Sequence, residues 1–175
     1  MEKQATLTFR EVERTRDPGA EERARWFRDA MGCFATGVGV VTTLGPKGER
    51  IGLTVNSFAS LSLDPPLILW CLSLDSGLVK HFQKGRRFNI VFLSAAQEAL
   101  ARKFARPGEE RYKGLEAPAS EDRVPLLHDA AGALECSVEA AHDGGDHVIL
   151  IGRVLRYAIG GAEPLLFHKG RFRTF

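Results

Sequence analysis

Cysteine is scarce in this sequence. There are three, Cys33, Cys71 and Cys136, and no Cys-x-x-Cys pair. An odd, widely spaced set argues against a disulfide framework and against a zinc ribbon. All three lie in apolar stretches, so they are expected as buried thiols in a reducing compartment. Excess charge is also missing: 24 Lys and Arg against 22 Asp and Glu leave a net charge of +2. That balance speaks against a dedicated nucleic-acid binder and against an electrostatic reader of membranes. No apolar run approaches the roughly 18 residues that a membrane span requires. The opening stretch MEKQATLTFREVERTRDPGAEERARW has no apolar segment. A secretory signal is therefore not expected, and a cytoplasmic location is. Several catalytic signatures are absent as well. No GxxxxGK[ST], GxSxG or HExxH occurs, and Gly37-Val38-Gly39 precedes a strand instead of following one. This excludes a P-loop, a nucleophile elbow, a zincin and a Rossmann dinucleotide fold.

What is present is ordinary globular material. The chain has 175 residues, 44% hydrophobic and 26% charged, enough for one domain with a real core. Residues 1–20 read as a charged arm with a turn at Asp17-Pro18-Gly19 and a short strand at 6–9. The domain is expected over 21–175. Ala24, Phe27, Met31 and Phe34 recur at helical spacing, which predicts an amphipathic helix over 20–35. Strands over 38–43 and 51–58 flank Gly45-Pro46-Lys47-Gly48, a hairpin pattern. Asp64-Pro65-Pro66 imposes an extended entry to a strand at 67–72. A short helix is expected over 77–84, a buried strand over 87–93, and a helix over 95–104 ended by Pro107-Gly108. Residues 106–125 read as a long loop, with Arg106–Lys113 as a mobile lid. Strands at 133–141 and 147–157 form a second hairpin around His142–Asp146. Short strands follow at 164–167 and 170–175. About six or seven strands, mostly neighbours in sequence, and about three helices point to a mainly β antiparallel barrel with peripheral helices.

Two polar clusters carry candidate chemistry. Thr54-Val55-Asn56-Ser57-Phe58-Ala59-Ser60-Leu61-Ser62 holds five small hydroxyl or amide side chains in nine residues. Ser73-Leu74-Asp75-Ser76 follows the next strand. Short donors at strand ends suit a planar, phosphate-bearing ligand. They equally suit turn and helix capping, and the residues alone leave both open. His142, Asp143, Asp146 and His147 crowd one turn. A metal would need further ligands at a known spacing, so a solvated hairpin tip is the favoured reading. Lys80–Arg87 is basic and is expected as a solvated helix face.

Longer motifs carry a resemblance. ATGVGVVTT over 35–43, then Gly52-Leu53-Thr54-Val55-Asn56-Ser57-Phe58-Ala59-Ser60-Leu61-Ser62-Leu63-Asp64-Pro65-Pro66-Leu67, resemble the flavin reductase family. Further matches are Arg87–Leu93, Gln97 with Phe104-Ala105, Leu134-Glu135-Cys136, Gly145-Asp146-His147 and Pro164–Gly170. The similarity runs over about residues 24–175 in order.

The resemblance implies a split β-barrel, a homodimer, FMN or FAD, and NADH or NADPH as hydride donor. It implies reduced flavin supplied to a partner flavin-dependent oxygenase, with no nucleic acid and no membrane involved. By the same likeness, Thr54, Val55, Asn56, Ser57 and Ser60 lie along the flavin ring. Ser73 and Ser76 meet the ribityl phosphate end. Arg102 and Lys103, with Phe104, supply a cation for the phosphate. His147 stands near the nicotinamide as the catalytic histidine, and Phe172 beside the same site. Two departures are visible: Val55 is bulkier than the common Ala, and Phe172 stands where many relatives carry Tyr. An oxidase resembling pyridoxine-phosphate oxidases, or a non-catalytic flavin or haem carrier, remains open on such a scaffold.

Overall fold

The structure is a computed structural model that describes Leu7 and residues 19–107 and 110–175. The arm expected over 1–20 and its short strand at 6–9 lie outside the described residues, apart from Leu7, Gly19 and Ala20. Helix α1 spans Ala20–Met31, β1 Thr36–Gly37, β2 Gly39–Leu44, β3 Arg50–Val55, β4 Ala59–Leu63 and β5 Pro66–Ser73. They are followed by β6 Arg87–Phe92, α2 Glu98–Ala105, β7 Gly132–Gly144, β8 His147–Ile159, β9 Leu166–His168 and β10 Arg171–Arg173. The main sheet is antiparallel and runs β3-β2-β6-β7-β8-β5-β4, and a small sheet runs β1-β9-β10.

The main sheet must roll. β3 and β4 occupy its opposite edges, yet only residues 56–58 separate them. Laid flat, seven strands at about 4.8 Å would hold the edges roughly 29 Å apart. The four links from Val55 to Ala59 reach about 15 Å at most. The expected antiparallel split barrel follows from that short link, with the two edges brought together and not paired.

Two cores explain why β2 and β6 read as unbroken apolar runs. Inside the rolled sheet, Val41, Trp70, Leu72, Phe82, Phe88, Ile90, Cys136 and Leu150 pack together. Trp70 meets Phe82 edge-on at 5.0 Å. Outside it, Val40, Val91, Leu93, Ala101, Phe104, Tyr112 and Leu127 form a second cluster under α2 and the 110–131 segment. A strand between two cores loses the alternation of a half-exposed strand. Polar residues on these strands are satisfied. Thr42 donates to the Pro125 carbonyl at 2.6 Å. The Asn89 amide donates to the carbonyls of Val124 and Pro125 at 3.3 and 3.2 Å.

Several expectations are corrected. Arg111 donates to the Gly52 carbonyl and the Tyr112 hydroxyl to that of Ile51, at 3.0 Å for the latter. In the stretch expected over Arg106–Lys113 as a mobile lid, Arg111 and Tyr112 therefore hold the outer edge of β3, which also blunts an edge open to pairing. The helix expected over 77–84 is a single 3-10 turn at Val79–His81, bracketed by Gly77 and Gly85 with φ of 66° and 83°. α1 stops at Met31 because the chain turns at Gly32, whose carbonyl accepts from Lys169 N–H. Its expected inner face is not buried: Phe27, Met31 and Phe34 are exposed. Cys136 is buried, but Cys71 is half-buried and Cys33 exposed. Burial pushes the Cys136 thiol up to about 12.

Candidate functional site

The short link from β3 to β4 is also where the predicted site residues converge. Thr54 sits near the end of β3 and donates its hydroxyl to the Ala101 carbonyl of α2 at 2.7 Å. Three residues on, Ser57 reaches β5. Its hydroxyl accepts from Cys71 N–H at 3.0 Å and faces the Cys71 carbonyl at 3.2 Å. β4 pairs with β5 only as far as Leu69, so the Ser57 side chain replaces the next ladder rung at Cys71. Residues 54–57 thereby tie one flank, α2, to the other, β5 and β8.

On the β5–β8 flank, Ser73 pairs in register with His147. Beyond Ser73 the chain makes a 3-10 turn over Leu74–Ser76. Ser73 Oγ accepts from Asp75 N–H at 3.3 Å, and Ser76 Oγ donates to the Ser73 carbonyl at 2.7 Å. Leu74 N–H donates to the Asp146 carbonyl at 3.1 Å, which docks the serine turn on the β7–β8 hairpin. The hairpin has a two-residue turn, Gly145-Asp146, tighter than the expected five-residue tip because the strands extend to Gly144 and His147. Gly145 holds φ 77°, a backbone that glycine adopts without strain and that primed hairpin turns require. His147 is half-buried, and its Nδ1 lies 2.6 Å from Asp146 Oδ1. The bond to His147 holds the Asp146 carboxyl below its ordinary range. Among the described residues no group of three or more His, Cys, Asp or Glu is placed to hold a metal.

On the α2 flank the predicted residues separate. Arg102 pairs with Glu98 at 2.7 Å and lies 4.9 Å above the Phe172 ring, bringing α2 and β10 together. Phe172 in turn meets Phe167 edge-on at 5.4 Å. Lys103 donates to the Lys113 carbonyl at 2.6 Å. Phe104 is fully buried against Tyr112, with ring centroids 5.1 Å apart. It fills the space over Gly52, where any Cβ would collide with its ring. Val55 is likewise a core side chain. Only the backbone of Val55 is left for a ligand, and Phe104 acts through packing.

Asn56 and Ser60 behave differently. Both are exposed, and neither side chain bonds to another described residue. The ring-side set therefore divides by use: Thr54 and Ser57 brace the scaffold, while Asn56 and Ser60 present uncommitted polar groups. An amide and a hydroxyl of this kind, neutral and able both to donate and to accept, fit the alternating carbonyl and N–H edge of a flavin ring. A shallow cavity of about 420 Å³ lined by Arg50, Glu110, Arg111, Tyr112 and Lys113 lies at the other end of β3. Its cations are engaged: Arg50 stacks 4.9 Å over Tyr112, and Lys113 pairs with Glu110 at 3.3 Å.

The fold is that of an antiparallel split barrel. The sequence pattern of the flavin reductase like domain matches residues 31–175, and the chain belongs to that family. It is 44% identical over 158 residues to the FMN reductase (NADH) SmoA of Agrobacterium fabrum, covering 90% of this chain and 89% of that one. It is 37% identical over 155 residues to the reductase component of the flavin-dependent trigonelline monooxygenase of Acinetobacter baylyi. That match covers 89% of this chain and 50% of the relative, so the chain spans about half its length. The NADH:FAD oxidoreductase of Streptomyces globisporus, solved in complex with NAD and FAD fragments, superposes with a TM-score of 0.82 at 36% identity. The match covers 91% of this chain and 94% of that one. No described helix is long and apolar enough to cross a membrane.

Proposed function

We propose that the chain is an NAD(P)H-dependent flavin reductase that passes hydride from reduced nicotinamide to FMN or FAD. The reduced flavin goes to a partner oxygenase. The observation that carries this reading is the bracing of residues 54–57 to both flanks, by Thr54 on Ala101 and Ser57 on Cys71. It leaves Asn56 and Ser60 uncommitted on the link and the strand that follows, with Arg102 and Phe172 on the α2 flank that Thr54 braces and the serine turn with His147 at the end of β5, the strand that Ser57 braces. A flavin bound there would supply the electron-accepting ring, and the protein need provide no nucleophile. Asn56, Ser60 and the 55–60 backbone would hold the ring edge. Ser73 and Ser76 would meet the phosphate from the β5–β8 flank, and Arg102, with Lys103 behind, is the cation that the α2 flank offers to an anionic group of the flavin. His147 and Phe172 would orient the nicotinamide, since aligned reactants account for much of such a barrier.

The reading also takes residues 21–175 as one functional unit in the cytoplasm, acting as a homodimer. Exposed Phe27, Met31 and Phe34 on and after α1 support the pairing. Sedimentation at micromolar concentration should give twice the chain mass; a monomer would refute it.

Anaerobic mixing of the protein with FMN or FAD and with NADH or NADPH tests the function. Catalysed bleaching of the flavin is expected, and the four combinations identify both cofactors. Flavin binding with no bleaching in any combination would overturn the reading and leave a carrier. Turnover of pyridoxine phosphate would move the chain to the oxidases of the same scaffold.

A further inference from the structure

The turn that carries His147 holds one group that the proposed function leaves without a task. Asp146 is the second residue of the two-residue turn, and its carboxylate lies 2.6 Å from His147 Nδ1. The backbones of both partners are fixed. The Asp146 carbonyl accepts from Leu74 N–H at 3.1 Å. His147 is paired with Gly144 on one side and Ser73 on the other. Only side-chain torsions remain to be ordered, so the contact loses less entropy than a surface pair between two flexible chains.

The donor and acceptor roles are forced by chemistry. An ionised carboxylate only accepts, and a neutral imidazole carries its proton on one nitrogen. With Asp146 ionised, the 2.6 Å contact requires the proton on Nδ1. Nε2 is then an acceptor with a lone pair and no hydrogen. No described residue bonds to Nε2.

We propose that Asp146 is a positioning residue that fixes His147 as the Nδ1–H tautomer, so that Nε2 selects a dinucleotide whose nicotinamide presents an N–H donor, namely the primary carboxamide. This rests on the reductase reading for the identity of the ligand, although the tautomer itself does not. An acceptor aimed at a carboxamide N–H discriminates against analogues that lack it, because the unpaired polar group is left without a partner. The side chain of Asp146 is 92% exposed and its structural bond is made by the main chain. Its replacement therefore leaves the turn and the docked serine turn intact.

Two measurements test this. The first is the ¹⁵N imidazole spectrum of the protein alone at mildly alkaline pH, with His147 assigned by its loss in His147→Gln. The wild type should show the Nδ1–H form. Asp146→Ala should shift to the Nε2–H form that free histidine favours, and Asp146→Asn should lie between. The second is the KM for NADH against that for reduced 3-acetylpyridine adenine dinucleotide, which accepts hydrogen bonds but offers no N–H at that position. The wild type should prefer NADH by about 10-fold in KM, a single hydrogen bond's worth, and Asp146→Ala should lose that preference while kcat stays within about threefold. An Nε2–H tautomer in the wild type, or a tautomer unmoved in Asp146→Ala, would overturn the proposal. So would a switched tautomer with the analogue preference retained. Failure of the wild type to reduce any flavin would overturn the function, and the ligand half of this proposal with it, while the tautomer result would stand by itself.

Discussion

The two flanks of residues 54–57 use their polar and charged side chains in opposite ways. On the α2 flank, Arg102, Lys103 and Phe104 are adjacent in sequence and have three different tasks. Arg102 faces out over Phe172, Lys103 caps the Lys113 carbonyl and Phe104 is core. On the β5–β8 flank, Ser73 is far in sequence from the adjacent Asp146 and His147, yet the three meet at one end of the sheet. A helix turns by about 100° per residue, so neighbours diverge. Antiparallel register does the reverse and places distant residues opposite each other. The difference teaches that a contiguous motif on a helix marks a packing unit with one outward group, whereas turn residues at paired strand ends share a site.

Substitutions on the two flanks should have different effects. Phe104→Ala should cost about 3–5 kcal/mol of stability, because a fully buried ring is removed from the outer core. Urea unfolding checks this. A small loss of stability with a large loss of flavin affinity would instead give Phe104 a ligand role. Ser57→Ala should cost about 1–3 kcal/mol, since Cys71 N–H loses its partner at a half-buried position. Asn56→Ala should leave stability within about 0.5 kcal/mol and weaken flavin binding. If the two serine and asparagine variants behaved alike, the division between bracing and presenting side chains would fail.

Arg102→Ala should change stability by less than about 1 kcal/mol, because its pair with Glu98 is solvent-exposed and screened. Flavin affinity should fall about 3–10-fold, and the loss should shrink at high salt. Isothermal titration at two ionic strengths measures it. The smallest effect concerns thiols. At pH 8, Cys33 should react with a maleimide promptly, Cys71 slowly, and Cys136 only on unfolding, since burial both hides its thiol and pushes it up to about 12. Mass spectrometry during labelling reads the order, and early modification of Cys136 would contradict the packed inner core.

Much of this was legible from residue patterns. The β2–β3 hairpin, the buried run of β6 and the long β7–β8 hairpin follow from β-branched segments bounded by glycine turns. Other features depended on partners distant in sequence. β4, Ala59–Leu63, is short and half polar, so it resembles loop until β5 pairs with it. The Arg106–Lys113 stretch is charged and reads as mobile, yet its anchors are carbonyls of β3, about 60 residues earlier. Spacing on α1 predicted a buried face, but nothing in a helical pattern says whether its complement lies in the same chain. Within the candidate site, the residue types were readable and their tasks were not. Thr54, Ser57 and Asn56 are chemically similar, and only the packing of α2 against β3 and the register of β4 on β5 determine which of them has a backbone group to satisfy.

The most direct test is single-turnover flavin reduction at subsaturating NADH, comparing wild type with His147→Ala. The variant's rate should be at least about 10-fold lower, equivalent to about 1.4 kcal/mol, with flavin affinity and melting temperature unchanged. An unaltered rate in that variant would contradict this and remove the β5–β8 flank from the chemistry.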